Sequence, residues 1–200
     1  TFSRRGMMEK TTSEGIGAFY HHYPRVAAVL TARFGEKDNA MTAAWHTPLS
    51  FNPPLYAVSV SPKRFTYRLI AESKEFAVNF MPASEVEMVA SVGGSKGGEV
   101  DKFYAFNISK EKPLKTSAPI LSTAYAVYEC RLVSDKEYGD HRLLVGEIVA
   151  VHWHEAAFAA DETLDMDKVD PVLYLGGERY ITASECTIRT LERKIYGKSA

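Results

Sequence analysis

The chain has 200 residues, 46% of them hydrophobic and 24% charged, with 24 Lys and Arg against 25 Asp and Glu. That length holds one well-filled core, and that share of apolar residues excludes a disordered chain. A formal net charge of -1 excludes a general attraction to nucleic acid or anionic membrane and leaves only a local basic patch open.

The opening residues TFSRRGMMEKTTSEG are polar, without the apolar core of a signal peptide, and no later apolar run approaches the roughly 18 residues of a membrane span. The expectation is a cytoplasmic protein with a flexible segment at 1–17 and a single domain over 18–200. Four stretches rich in β-branched and aromatic residues then predict strands: RVAAVLTARF (25–34), AMTAAWHT (40–47), LYAVSVS (55–61) and EFAVNF (75–80). Turn chemistry separates them at Gly35 to Asn39 and at Asn52-Pro53-Pro54.

Between the third and fourth strands, SPKRFTYRLIAES predicts a helix with Ser61 as N-cap and Pro62 at its first position. Phe65, Leu69 and Ile70 form its inner face. A second helix is predicted in SEVEMVASVGG, started by a Ser84–Glu87 capping box and stopped by Gly93-Gly94. The following GGSKGGE (93–99) lacks the G-x-x-x-x-G-K-[ST] pattern and follows a helix rather than a strand, so it reads as a flexible loop. Gly139-Asp140 reads as the tip of a long antiparallel hairpin between STAYAVYECRLVSDKEY and HRLLVGEIVAVHWHE. Many strands, few helices and no βαβ alternation predict a mainly β fold, a small antiparallel barrel with a few added helices.

Several chemistries are excluded. No G-x-S-x-G or paired-carboxylate motif supports hydrolysis, and no G-x-G-x-x-G supports a dinucleotide-binding domain. Cys130 and Cys186 match no zinc spacing and read as inert thiols in a reducing compartment. His152 and His154 have no third ligand nearby and read as exposed strand positions, and His21-His22 precede the first strand, so no metal is expected.

One segment does suggest a ligand. A helix opening at Ser61-Pro62 offers unpaired backbone N–H groups and the positive end of its dipole. Lys63 and Arg64 in its first turn would cost about 0.3–1 kcal/mol against that dipole unless an anion sits there. The alternative is two solvated surface charges. Upstream, Asn39, Thr42, Ala43 and Ala44 combine small side chains with polar groups, which suits close approach of a flat ring as well as it suits an ordinary strand.

The order and spacing of NAMTAAWHTPLSFNPPLYAVSVSPKRFTYRLI followed by EFAVNF resemble the flavin reductase-like family of the FMN-binding split barrel, in its flavoredoxin-type branch. YPRVAAVLTA (23–32), GDHRLLVGEIVAV (139–151) and PVLYLGGERY (171–180) extend the resemblance over roughly residues 20–180. It implies a six-stranded Greek-key split barrel, a homodimer with flavin near the subunit interface, and non-covalent FMN. On the family pattern Asn39, Ala40, Met41, Thr42, Ala43, Ala44 and Trp45 line the isoalloxazine and ribityl chain. Ser59, Val60 and Ser61 continue along the ribityl chain, Arg64 and Thr66 hold the phosphate, and Lys102 is a weaker candidate for the phosphate or ribityl end. The AAW run departs from relatives that carry a serine between Thr and Trp.

His141, after Gly-Asp, corresponds to the family's nicotinamide or active-site face and is the catalytic candidate; as a residue alone it is equally a turn histidine. His46 is secondary. The resemblance implies hydride from NAD(P)H passing to flavin and electrons leaving to free flavin, ferric iron or another acceptor. A flavoredoxin-type carrier fed by a protein donor, or a non-catalytic FMN-binding module, are the alternatives.

Overall fold

The computed structural model describes residues 9–183 and 185–189. Residues 1–8 of the expected flexible segment and 190–200 of the expected domain lie outside the described residues, and residues 9–22 are exposed throughout. The strands are β1 (Arg25–Val26), β2 (Ala28–Phe34), β3 (Lys37–Ala43), β4 (His46–Phe51), β5 (Pro54–Val60), β6 (Glu75–Phe80), β7 (Lys110–Glu111), β8 (Ile120–Leu121), β9 (Ala126–Tyr138), β10 (His141–Trp153), β11 (Leu173–Gly176) and β12 (Arg179–Ile181). The α-helices are α1 (Phe65–Ser73), α2 (Val86–Gly94) and α3 (Lys102–Ala105).

Seven strands form one sheet in the order β3-β2-β6-β9-β10-β5-β4, every neighbouring pair antiparallel. β3 and β4 sit at opposite edges of that sheet, yet only Ala44 and Trp45 connect them. So short a link reaches about 10 Å, so the edges must come together and the sheet curls into a barrel. No ladder joins β3 to β4 among the described residues; Ser59 N, donating to the Trp45 carbonyl at 2.8 Å, only carries the β4–β5 pairing one residue further. That unladdered seam is the split of a split barrel.

The expected strand 40–47 therefore breaks at Ala44–Trp45, which turns the expected six strands into seven. The expected strand 25–34 also breaks, at Ala27, whose N–H leaves the barrel to bond the Val172 carbonyl. This lets β1 join a small sheet with β11 and β12. Turn chemistry ends earlier than expected: Gly35, with φ +59°, and Glu36 make the bend, and Lys37 to Asn39 already pair with β2. The Gly139-Asp140 tip is as expected, with φ +63° at Gly139 and thirteen residues in each flanking strand.

β2 reads as continuously apolar because it has two faces to bury. Ala28, Leu30 and Ala32 meet Val58, Val60, Ile70, Phe76, Val78 and Leu144 in one core. Val29 faces the other side with Ala77, Val89, Val92, Phe103, Leu121 and Val172, beneath α2 and α3.

Both predicted helix starts shift. α1 begins at Phe65, with Arg64 as an extended N-cap residue, because Arg64 N bonds the Ser61 carbonyl and spends residues 61–64 on a turn. The Ser84–Glu87 capping box does not form; a 3-10 turn, Ala83–Glu85, precedes α2. Its entry is set by tertiary bonds instead, Ala83 N to the Asp170 carbonyl at 2.6 Å and Val172 N to the Met81 carbonyl at 3.1 Å. Gly93-Gly94 does end α2. Among the described residues no helix is long and apolar enough to cross a membrane.

Candidate functional site

β3, the start of α1, the end of α2 and α3 surround a cleft of ≈ 280 Å³. Five cations line it, Lys63, Arg64, Arg68, Lys96 and Lys102, against one carboxylate, Glu99. Glu99 is spent on an exposed pair with Lys96 at 3.2 Å. Lys63, Arg64 and Arg68 make no ion pair among the described residues, so the cleft carries uncompensated positive charge.

The N-terminus of α1 opens on this cleft through Arg64, Phe65 and Thr66. It has no side-chain cap and no acidic residue in its first turn, so its backbone N–H groups are unclaimed. An anion would find these free N–H groups together with the flanking cations. Lys63 and Arg64 flank the helix end rather than occupying its first turn, and the missing cap creates the vacancy in hydrogen bonding.

Asn39 and Thr66 are buried, and Asn39 Nδ2 donates to Thr66 Oγ1 at 2.7 Å. Thr66 keeps its own hydroxyl proton to give. Asn39 Oδ1 is a buried polar atom without a hydrogen-bond partner among the described residues. A buried acceptor left unpaired costs about 1–3 kcal/mol, and a ligand donor in the cleft would relieve it.

Lys102, expected to be an exposed and weak candidate, is 3% exposed. Its Nζ donates to the Ala40 carbonyl at 2.8 Å and the Val92 carbonyl at 2.6 Å, tying β3 to α2. Burial, with the Arg64 charge nearby, pushes its pKa down to about 8. No carboxylate compensates it.

The GGSKGGE segment is a wall of the cleft rather than only a flexible loop. A Cβ on Gly97 would lie 2.2 Å from Asn39 Oδ1, and one on Gly93 would lie 3.2 Å from the Thr42 Cβ. Paired glycines after a helix were the available signal, and the missing phosphate-loop pattern hid it. Gly97→Ala should lower stability by about 1–3 kcal/mol, because Asn39 is held in place by Thr66 and cannot simply swing aside. A urea midpoint equal to wild type would show that the wall yields.

The remaining predicted residues divide. Met41 and Thr42 line the same cleft, with Thr42 Oγ1 donating to the Val89 carbonyl at 2.5 Å, so toward any ligand it is left with lone pairs. Ala40, Ala43 and Val60 bury their side chains in the two cores, leaving only main-chain groups for a ligand. Ser61 Oγ accepts from Lys63 N at 3.4 Å beside the cleft.

Beyond the two-residue link, half-buried Ala44 leads to Trp45, which with Ser59, Phe19 and Leu143 lines a separate, shallow pocket. Trp45 Nε1 donates to the Tyr23 hydroxyl at 2.9 Å, and the Trp45 ring meets His141 at 4.9 Å between centroids. His141 Nδ1 lies 2.7 Å from the Asp140 carboxylate, which fixes the proton on Nδ1 and leaves Nε2 open. That hydrogen bond holds Asp140 below the usual carboxylate range. His46 is otherwise engaged, in the wall between β1 and β5, bonded to the Val26 carbonyl and the Tyr56 hydroxyl. His154 is exposed as expected, but His152 is half-buried and bonds Glu129.

Residues 20–183 match the flavin reductase like domain family. An uncharacterized protein of Pyrococcus abyssi is 34% identical over 136 residues, 68% of this chain and 78% of that one. Among solved structures, an FMN-binding protein from Thermus thermophilus is 35% identical, with a TM-score of 0.82 over 92% of this chain and 100% of that chain. The flavoredoxin of Desulfovibrio vulgaris (Miyazaki F) is 25% identical, with a TM-score of 0.80 over 94% of this chain and 100% of that chain. A barrel closed by two residues at Ala44–Trp45, with these matches over most of its length, makes this chain a member of the flavin reductase-like family.

Proposed function

We propose that this chain is an FMN-binding oxidoreductase of NAD(P)H:flavin reductase type, working in the cytoplasm as a homodimer. The observation that carries the reading is the cationic cleft at the uncapped start of α1, with the unpaired Asn39 Oδ1 in its wall. These residues fit FMN. A phosphate would find the free N–H groups of α1, Arg64 and the Thr66 hydroxyl, with Lys102 contributing charge from below. The Asn39 acceptor suits a ribityl hydroxyl donor; Thr42 lines the cleft, Ser61 lies beside it and Ser59 lines the Trp45 pocket.

Bound FMN would supply two-electron redox chemistry, accepting hydride from a reduced nicotinamide and giving electrons to free flavin, ferric iron or another acceptor. The chain contributes binding, orientation and charge. Trp45 and His141 provide two half-buried rings, tilted at 44° to each other, next to the barrel seam. With Nδ1–H held by Asp140, His141 Nε2 is the atom able to hold or release a proton there. Exposed Leu49 and Phe51 at the β4–β5 tip are apolar surface for a subunit contact.

The test is the visible spectrum of the purified protein before and after anaerobic NADH or NADPH. A bound-flavin spectrum that bleaches with either nucleotide is the expected result. The likeness to flavoredoxin favours one other reading, an electron carrier reduced by a protein donor; its mark is flavin that dithionite bleaches and both nucleotides leave oxidised. A colourless protein that gains no flavin on reconstitution overturns both.

A further inference from the structure

A second cavity, of ≈ 630 Å³, shares no lining residue with the cationic cleft. Its walls are aromatic: Tyr56, Phe80, Tyr125, Tyr128 and Phe158. The rings meet edge to face, Tyr56 with Tyr128 at 5.4 Å and Phe80 with Tyr128 at 5.1 Å between centroids. Such walls suit a planar ring, which can add stacked or edge contacts to them.

Arg25 and the tyrosines supply this cavity with hydrogen-bond donors, beside His22, His46 and Thr47. The Val26 carbonyl can only accept, so the His46 nitrogen 2.9 Å from it, Nε2, carries the proton. Burial holds His46 below its ordinary pKa, so the ring is neutral and Nδ1 accepts from the Tyr56 hydroxyl at 2.6 Å. The Tyr56 proton is therefore committed. Tyr125 and Tyr128 are not: neither hydroxyl has a hydrogen-bond partner among the described residues, and Tyr125 is only 9% exposed. Burial pushes the Tyr125 phenol up to about 12, which keeps it a donor. Arg25 Nη2 donates to the His46 carbonyl at 3.0 Å, and Arg25 makes no ion pair among the described residues. No Asp or Glu lines the cavity.

We propose that this cavity binds an aromatic carboxylate, its ring against Phe80 and Tyr128 and its carboxylate toward Arg25 and the free tyrosine hydroxyls. Charge selects the occupant. A neutral apolar molecule would strip water from Arg25 and two hydroxyls and return no acceptor, which is costly. An inorganic anion would leave the aromatic walls unused. The carboxylate answers both, since an arginine fork and a carboxylate match in shape as well as charge. No residue of the cationic cleft takes part, but Arg25 and His46 also line the Trp45 pocket, so the two sites adjoin; binding of the acid is read without flavin chemistry, which keeps its failure distinct from failure of the flavin reading.

The test titrates 4-fluorobenzoate and 4-fluorobenzyl alcohol into the purified protein and follows each by fluorine NMR. The acid should bind saturably and the alcohol about tenfold or more weaker, a comparison made on the unmodified chain. Arg25→Gln should weaken the acid by about tenfold and leave the alcohol unchanged, while Arg25→Lys should retain part of the affinity. Equal binding of acid and alcohol, no saturable binding, or unchanged affinity in Arg25→Gln would overturn the proposal. So would acid binding that disappears as the protein self-associates, because the cavity would then be a face for a second copy.

Discussion

Arg64→Ala weakens FMN binding by about 10- to 100-fold and leaves the urea midpoint close to that of wild type. The magnitude follows from a charge-assisted hydrogen bond, about 1.5–3 kcal/mol, at 1.4 kcal/mol per factor of ten. The selectivity follows from position. Arg64 is exposed and makes no ion pair among the described residues, so folding loses little when it goes. Lys63→Ala and Arg68→Ala serve as the comparison: as exposed charges in the same cleft they should each lose only a few-fold, and that loss should shrink in salt. Equal losses from all three would mean that the cleft acts as a general positive field and that Arg64 is not the phosphate's partner.

The same cleft has a pH signature. Lys102 is depressed to about 8, chiefly by burial, and only its charged form attracts a phosphate. FMN affinity should therefore hold below pH 8 and fall as pH rises through it, while an ordinary lysine would keep its charge until about pH 10. For the apoprotein the sign is opposite. Between about pH 8 and the ordinary lysine range the unfolded chain binds more protons at this group, so its contribution to stability rises with pH.

Much of this was legible in the sequence because the governing forces are local. The hairpin tip at Gly139-Asp140 announces itself through a residue that tolerates positive φ, and the β-branched and aromatic residues of EFAVNF and LYAVSVS announce strands. What the sequence hid depends on closure of the barrel. AMTAAWHT is a continuous β-prone run, and nothing within it says that its halves belong to opposite sheet edges; the break at Ala44–Trp45 exists because the sheet curls. The start of α1 moved from Ser61 to Phe65 for a similar reason, since a turn bond from Arg64 N to the Ser61 carbonyl displaced an acceptable local cap.

The site divides along the same line. Asn39, Thr66 and Arg64 stood in the resemblance, and the structure brings them into one cleft. Gly97 and the burial of Lys102 were not readable, because each is defined by a partner distant in sequence: the Asn39 side chain for Gly97, the Ala40 carbonyl for Lys102. The exposed position expected of His152 fails for the same reason. Its partner is Glu129, a lone acid inside AVYECRLV that period-two patterning would call a defect.

Glu129→Gln should cost about 3 kcal/mol of stability, the scale for removing one partner of a buried charged network. Glu129 is wholly buried, and its carboxylate accepts from Leu114 N at 2.7 Å, Lys115 N at 2.9 Å, Thr116 N at 2.7 Å, Thr116 Oγ1 at 2.8 Å and His152 Nε2 at 2.5 Å. Every one of these partners is a donor. A glutamine of equal size keeps one acceptor oxygen but turns an NH2 toward groups that themselves give protons, and it withdraws the charge that they solvate. Burial alone would raise the carboxyl, but the bonds from His152, the Leu114 and Lys115 amides and the Thr116 hydroxyl outweigh it and bring Glu129 down to about 2 from an ordinary 4.5. Because the folded value is depressed, the stabilisation is fully present above pH 4.5 and is lost as pH falls toward 2. Wild type should therefore show an acid-dependent loss of stability across that window, and Glu129→Gln should show a flatter profile from a lower starting point. Hydrogen exchange gives the local readout: the amides of Leu114, Lys115 and Thr116 should lose protection together, since one carboxylate holds all three and the segment they belong to crosses the sheet with no strand of its own. An unchanged acid profile with those amides still protected would mean that the segment is held by its other carboxylate, Glu75, which accepts from Ser117 N and Oγ at 2.7 and 2.8 Å.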